Sequence, residues 1–340
     1  MINKNKFLIT GGTGSFGKSM LSYLLKNKAS EVRILSRDEK KQENLRLEIN
    51  DNRAKFIIGD VRDIHSIEKS FDNIDYVFHA AALKQVPSCE FYPLEAIKTN
   101  ILVTENVIKC SIDNKVKSMV LLSTDKSVYP VNSMGMTKGL AEKLMLANSR
   151  SNMNNSTRLC ITRYGNVMGS RGSVIPLFIE QIKKNKTLTV TDYNMTRFLM
   201  SLNESIDLVI KAFKDGESGD IFIKKAPAVT IEVLVGALLD IFNSKSKINI
   251  IGTRHGEKLY ETLVSREELL RSKEAKNYYC IKADTRTINY DTYFTKGKKS
   301  LSDIDDYNSH NTRRLSLIET KKILLKMDFV KKQIIWQKSW

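Results

Sequence analysis

The stretch Thr10–Gly17, TGGTGSFG, constrains this chain more than any other. It lies between an apolar run, Lys6–Thr10 (KFLIT), and a segment with Met20, Leu21, Leu24 and Leu25 at helical spacing. Gly11, Gly14 and Gly17 stand three apart, with Thr13, Ser15 and Phe16 between them. Missing side chains at such positions permit a tight turn, a close backbone approach to a pyrophosphate, and close packing of the next helix. The helix then presents free N–H groups and its positive end to the phosphates. Glycine triplets also occur in plain turns. Here a strand, a helix and a second strand surround the triplet, and that context points to a dinucleotide.

The same beat continues downstream. Glu31–Leu35, Lys55–Ile58, Asp75–His79, Ser118–Leu122 and Leu159–Arg163 read as strands, separated by longer segments of helical periodicity. Near-continuous Val/Ile/Leu runs alternating with amphipathic stretches imply a parallel sheet covered on both faces. The fold expected is α/β, a Rossmann-type doubly wound parallel sheet with a smaller C-terminal substrate-binding domain. Residues 1–166, with a return segment at about 203–225, form the first domain in this reading; 167–202 and 226–340 form the second. Ser149–Thr157 (SRSNMNNST) reads as a connection, and Leu315–Phe329 as helical.

The end of the second strand bears on which dinucleotide. An acid there suits the ribose hydroxyls of NAD. The run is Ser36-Arg37-Asp38, with Lys41 a turn later. A hydroxyl and a planar cation suit a 2′-phosphate, so NADP is expected, and Asp38 leaves NAD open. Gly59-Asp60-Val61 ends the third strand. Asp60 there can accept from an adenine amino group or cap a helix.

Composition removes several alternatives. The net charge is +17, but the Lys and Arg residues are spread along the chain without an arginine-rich block, so no nucleic-acid partner is expected. An anionic nucleotide would also be drawn by such a field. Four cysteines and four histidines are scattered, without metal-ligand spacing, so no metal is expected. No run approaches the ~18 apolar residues of a membrane span, and Met1–Lys6 lacks the apolar core of a secretory signal. The expectation is a cytoplasmic protein.

The ordered series TGGTGSFG, SRDEKKQ, GDVRD, FHAAALKQVPSCE, STDK, RYGNVMGSRGSVIPLF, MTRFLMSL and GTRHGEK resembles the polysaccharide-biosynthesis dehydratases of the extended short-chain dehydrogenase/reductase superfamily. The resemblance runs on through DTRTINYDTYF and DDYNSHNT. It is strongest to the configuration-inverting UDP-N-acetylglucosamine 4,6-dehydratases that open UDP-N-acetyl-L-fucosamine synthesis. Some relatives are described instead as UDP-glucose 4-epimerases.

The resemblance implies oxidation at C4 of the sugar by bound NADP, loss of water across C5–C6, and reduction at C6, with inversion at C5. It assigns Asp125 as the acid toward O6 and Lys126 as the base at C5, both after the fifth strand. Read alone, an Asp-Lys pair in a loop is of little value. The Tyr-x-x-x-Lys pair of the superfamily is here Met134…Lys138. Lys138 can still hold the nicotinamide ribose, but a thioether takes no proton, and Met134 reads equally as packing. The C4 step then falls to Tyr129 or Lys126, with Thr124 in contact with the hydroxyl.

The resemblance also places Ala80, Ala81, Ala82 and Lys84 against the cofactor, and Lys84 and Asn100 beside the sugar. Arg163, Asn166, Arg171, Ser173, Val174, Arg197 and Glu257 fall to the UDP part. A homo-oligomer, dimer or hexamer, is implied, with Asp284–Asn311 as an inter-subunit arm. Retained Asp125 and Lys126 favour dehydration over 4-epimerisation, which removes no C5 proton. A non-catalytic sensor of nucleotide sugar is the reading that Met134 leaves open.

Overall fold

The computed structural model describes residues 1–151, 156–170, 172–283 and 304–338. Arg171 and most of the tail expected to form an arm, 284–303, lie outside the described residues. The contacts divide the chain into two units. One holds Met1–Tyr164, Leu202–Lys225 and Leu263–Asp306; the other holds Gly165–Ser201, Ala226–Thr262 and Tyr307–Trp340.

The first unit is built on a nine-stranded sheet. Its strands are β1 (Lys6–Thr10), β2 (Glu31–Ser36), β3 (Ala54–Ile58), β4 (Tyr76–His79), β5 (Ser118–Thr124), β6 (Arg158–Tyr164), β7 (Ile221–Lys224), β8 (Ser272–Ala275) and β9 (Tyr278–Ile281). The order is β8-β9-β7-β6-β5-β4-β1-β2-β3. Its 3-2-1-4-5-6 portion is the Rossmann order, with a topological switch point between β1 and β4. Neighbours from β3 to β7 pair in parallel, whereas β9 runs antiparallel to β7 and β8 antiparallel to β9. The expected Rossmann-type sheet is therefore present.

Parallel strands buried on both faces need apolar residues at every position, and β1 and β4 supply them. Phe7, Leu8, Ile9, Val77 and Phe78 are all at most 1% exposed. Helix α1 (Ser15–Lys26) covers one face with Met20, Leu21, Leu24 and Leu25, the residues expected from spacing. Phe7, Tyr76 and Phe213 join in the same core, with Phe7 stacked on Tyr76 at 5.2 Å.

One boundary differs from the sequence reading. Residues 226–340 were expected to form part of one substrate domain, yet Leu263–Asp306 groups with the first unit. The reason is β8 and β9, short strands that extend the large sheet by antiparallel pairing. Their run of Ser, Lys, Glu, Tyr and Cys lacks the apolar density that marks the inner strands. The connection read at Ser149–Thr157 also begins later, because the long helix Ser133–Ser151 runs through its first residues.

The second unit holds its own core of Phe178, Ile179, Leu188, Val190, Leu234, Leu238 and Leu324. The periodic stretch after Leu315 is two helices, Leu317–Lys326 and Asp328–Lys338. Met327 between them has an extended backbone, ψ 125°, which ends the first helix. Among the described residues no helix is long and apolar enough to cross a membrane.

Candidate active site

At the carboxyl end of β1 the chain turns at Gly11, whose φ is +67°. A Cβ on Gly11 would stand 2.8 Å from the backbone of Ala81. Glycine is thus required twice over, for its backbone angle and for the close approach of the β4 loop. Gly17 is buried and would drive a Cβ into the Gly12 carbonyl. Helix α1 starts at Ser15 with no side-chain cap and no acid in its first turn. Its N–H groups and dipole are left for an anion.

A cleft of about 640 Å³ opens beside this turn. Gly11, Thr13, Ser36, Arg37, Lys41, Asp60, Val61, Ala81 and Ala82 of the expected cofactor residues line it, joined by Asp38, Arg62 and Thr99. Gly14, Ser15, Ala80, Lys84 and Lys138 are outside its lining. So is Phe16, whose ring stacks on Phe78 at 4.9 Å.

Two acids at the cleft have defined jobs. Asp38 caps helix α2 (Glu39–Ile49), accepting from the Lys41 N–H at 2.9 Å, and pairs with the Lys41 ammonium. Those bonds hold its carboxyl below the ordinary value. Asp60 is not a cap, because Asp63 starts the next helix. It accepts from Arg62 through Nε and Nη2, at 3.0 and 2.7 Å, and lies 3.6 Å from Arg37. Arg62 is the chief cause that keeps Asp60 ionised to lower pH.

The second cluster lies at the end of β5. Asp125 is fully buried, and its Oδ1 accepts from Thr124 Oγ1 at 2.9 Å and from Lys126 Nζ at 3.1 Å. Lys138 follows on the helix Ser133–Ser151, 7% exposed, donating from Nζ to the Leu122 carbonyl. Burial lowers its pKa to about 8. Met134, one turn earlier, packs with Cys89 and Ala96.

Three expected site residues have other duties. Arg163 was expected to grip the UDP part, but it is 2% exposed and all five of its N–H donors are engaged. Nε and Nη2 reach Glu142, Nη1 and Nη2 reach Glu268, and Nη1 reaches the Leu263 carbonyl, at 2.6 to 3.1 Å. Burial works against its charge, and the two carboxylates outweigh burial and hold it protonated. Asn100 was expected beside the sugar. It is 1% exposed, clasps both backbone groups of Leu83, and donates to Thr137 at 2.9 Å. It sits in a π-helical turn, Lys98–Leu102, an irregularity invisible in residue spacing.

Tyr129, expected as a base, donates to Glu267 at 3.1 Å or Asp306 at 3.2 Å. Burial, Asp306 and Glu267 push its phenol up to about 12. A phenol held that way is a poor proton acceptor.

In the second unit Asn166 lies on a two-residue strand, and its buried Oδ1 has no partner among the described residues. Ser173 precedes the helix that Val174 begins without capping it through its side chain, and its hydroxyl donates instead to the Ser170 carbonyl. Arg197 donates to the Thr196 and Leu259 carbonyls, and Glu257 pairs with Arg254 at 3.0 Å. Among the described residues no group of His, Cys, Asp and Glu could hold a metal ion.

Comparison with known proteins adds the lineage. Residues 7–283 match the family model described as polysaccharide biosynthesis protein, and 284–331 match its C-terminal companion. A protein of Rickettsia bellii (strain OSU 85-389) named UDP-glucose 4-epimerase is 58% identical over 331 residues, covering 96% of this chain and 97% of its own. The structure of Pen from Bacillus thuringiensis aligns at a TM-score of 0.88 with 38% identity, over 96% of this chain and 99% of that one. The dTDP-glucose 4,6-dehydratase DesIV of Streptomyces venezuelae, solved with NAD, shares the fold at a TM-score of 0.69 with 23% identity, over 75% of this chain and 86% of its own. The chain belongs to the polysaccharide biosynthesis protein family, a nucleotide-sugar-modifying group within the extended short-chain dehydrogenase/reductases.

Proposed function

We propose that this protein is an NADP-dependent UDP-N-acetylglucosamine 4,6-dehydratase that inverts C5, serving UDP-N-acetyl-L-fucosamine-type sugar synthesis for surface polysaccharide. The observation that carries the proposal is the pair of a buried Asp125 and a half-buried Lys126 at the carboxyl end of β5, where a proton can be held on one group and taken by the other. Epimerisation at C4 has no use for such a pair.

The residues present fit a dinucleotide. Gly11 leaves a cradle that a Cβ would fill, and α1 leaves its N-terminus uncapped. Ser36, Arg37 and Lys41 at the cleft favour a 2′-phosphate, and Asp38 is occupied as a cap. Bound there, the nicotinamide supplies the reversible two-electron oxidation of the sugar.

The protein's own groups handle the protons. Thr124 Oγ1 takes the proton of the C4 hydroxyl as it passes its own to Asp125 Oδ1, along the 2.9 Å bond. That transfer loads the carboxyl, so the missing tyrosine and the need for a protonated acid have one answer. Lys126 then removes the C5 proton, and Asp125 returns its proton to O6, which leaves as water. A solvent proton delivered to C5 on the opposite face gives inversion, and Lys126 sheds the proton it took to solvent, which restores the neutral amine for the next cycle. Lys138 holds the ribose, and Met134 packs beside it.

The second reading, a UDP-sugar 4-epimerase, is favoured by the name of the Rickettsia bellii relative. Mass spectrometry of the product from UDP-N-acetylglucosamine separates the two. Loss of one water supports the dehydratase; an unchanged mass with altered chromatographic mobility establishes the epimerase.

A further inference from the structure

Buried beside the Asp125–Lys126 turn is a set of charges to which the chemistry above gives no part. Glu142 is 4% exposed and Arg163 2% exposed, and Glu268 is bound to Arg163 through both carboxylate oxygens. Glu142 Oε2 accepts from Arg163 Nη2 at 2.6 Å. Its other oxygen, Oε1, receives three contacts: Arg163 Nε at 3.1 Å, Ser127 Oγ at 2.7 Å, and Ser123 Oγ. Ser123 and Ser127 bracket Thr124, Asp125 and Lys126. Both ends of that turn are thus tied to one carboxylate oxygen.

We propose that Glu142, oriented by Arg163 and Glu268, is a positioning residue that fixes the Thr124–Lys126 turn through Ser123 and Ser127. This rests on the catalytic reading of Asp125 and Lys126 given above. The bland alternative is a buried ion cluster that serves stability alone. Such clusters are weak sources of stability, because desolvation offsets the attraction and apolar residues of similar volume often do as well. Their better-attested use is to specify one geometry. Here the geometry specified is that of the turn. Thr124 must keep its hydroxyl on Asp125, and Lys126 must stay beside Asp125, for the proton path to exist. A shift of about 1 Å in such groups costs roughly a hundredfold in rate.

The placement of the cluster fits that role. Glu142 lies one helical turn beyond Lys138, as Lys138 lies beyond Met134, so all three occupy one face of the helix Ser133–Ser151. Glu268 comes from the capping box of the helix Arg266–Leu269, which fixes its carboxylate through the Ser265 N–H. The charge of Glu142 also opposes the fall in the Lys138 pKa.

The test uses the full-length chain with Ser123→Ala and Ser127→Ala together. This leaves the ion cluster whole and cuts its ties to the turn, together with the bond from Ser127 Oγ to the Thr124 carbonyl at 2.6 Å. Ser123→Ala alone, which spares that bond and still cuts a tie to Glu142, is therefore measured beside it and is expected to shift exchange in the same direction. The first readout is amide hydrogen exchange at Lys126 and Val128, which depends on no substrate and no activity. The expected result is exchange at least about tenfold faster at these two amides, with the cluster-bearing segments unchanged. Where the wild type turns over, kcat falls about ten- to a hundredfold with KM held. Unchanged exchange at both amides in a protein that melts like the wild type overturns the proposal.

Glu142→Gln reports on the carboxylate's charge, separately from its ties to the turn. Removing the negative charge shifts the Lys138 ionisation below about 8, while the double serine variant leaves it in place. Identical Lys138 titrations in Glu142→Gln and wild type count against the electrostatic part. The wild-type product is assigned in parallel. If it is an epimer, the dehydratase reading falls, and the exchange experiment still decides the clamp.

Discussion

On either side of the switch point between β1 and β4 the large sheet solves opposite problems. At the β1–β2–β3 end the chain builds a place by leaving things out: Gly11 lacks a side chain, α1 lacks a cap, and Arg37 stands half exposed. On the β5–β6 side it builds by filling in: Asp125, Lys138, Glu142 and Arg163 are all under 8% exposed, and each is hydrogen-bonded to neighbouring side chains or to the backbone. A diphosphate brings its own charge and needs only oriented N–H groups and room. Proton transfer needs groups held at fixed separations away from water. The same residue type therefore means different things on the two sides, an arginine on the rim of a cleft against an arginine as an internal strut.

Breaking the filled side has the largest expected effect. Lys126→Ala removes the proposed C5 base and lowers kcat by about 10²- to 10⁴-fold, the usual worth of a positioned base. Product mass gives the rate, and titration of the variant with NADPH, followed by nicotinamide fluorescence, checks that cofactor still binds. Retention of more than a tenth of the wild-type rate removes Lys126 from the mechanism. Arg163→Met comes next. It leaves Glu142 and Glu268 buried without their cation, and breaking such a pair costs about 3–5 kcal/mol. Urea unfolding measures it, and Arg37→Ala, whose cation is 53% exposed, is the control. The comparison fails if both substitutions shift stability equally.

How much of each side could be read in the amino-acid order follows from the same contrast. The cofactor turn is local: four glycines within seven residues, a strand before and a helix after, so its residues stand out in the sequence. The clamp is non-local. Arg163 meets Glu142 at 21 residues' separation and Glu268 at 105, with nothing in the spacing to connect them. Motif order therefore assigns Arg163 to the segment that grips the UDP part, and draws no attention to Glu142 and Glu268. Asn100 misled for a related reason, since a polar residue after the fourth strand looks like a ligand contact until Leu83 and Thr137 take up its amide. One signal was available: Glu142 continues the four-residue spacing of Met134 and Lys138, which places a carboxylate on a buried helical face.

A smaller effect sharpens the open side. Gly11→Ala puts a methyl 2.8 Å from the Ala81 backbone and a side chain at φ +67°. The strain costs about 1–3 kcal/mol, and the loop that lines the cleft has to shift. Calorimetric titration is expected to show NADP affinity falling more than stability predicts, because the site itself is deformed. Equal losses in melting temperature and affinity with an unmoved loop would instead assign Gly11 to folding alone.

The smallest effect distinguishes NADP from NAD, and it falls on Gln42. This side chain is 1% exposed, and its Nε2 lies 2.9 Å from the Ser36 carbonyl, 2.7 Å from the Ile57 carbonyl and 3.1 Å from Ser36 Oγ. Two carbonyls fix which end of the amide faces them, since an amide oxygen there would meet only repulsion. The arrangement leaves Gln42 Oε1 buried without a partner among the described residues, so it is not the choice that stability alone would make. Ser36 Oγ therefore accepts from Gln42, and its own proton is free to point into the cleft that Ser36 lines. A hydroxyl so arranged donates to a phosphate oxygen. Gln42→Leu keeps the volume and releases Ser36. The affinity for 2′,5′-ADP is then expected to fall about three- to tenfold, near the 1 kcal/mol of one hydrogen bond, while that for 5′-ADP stays as it was. Parallel titrations with the two nucleotides read the ratio directly. Equal losses for both would place Gln42 among the packing residues and leave Arg37 and Lys41 to carry the discrimination.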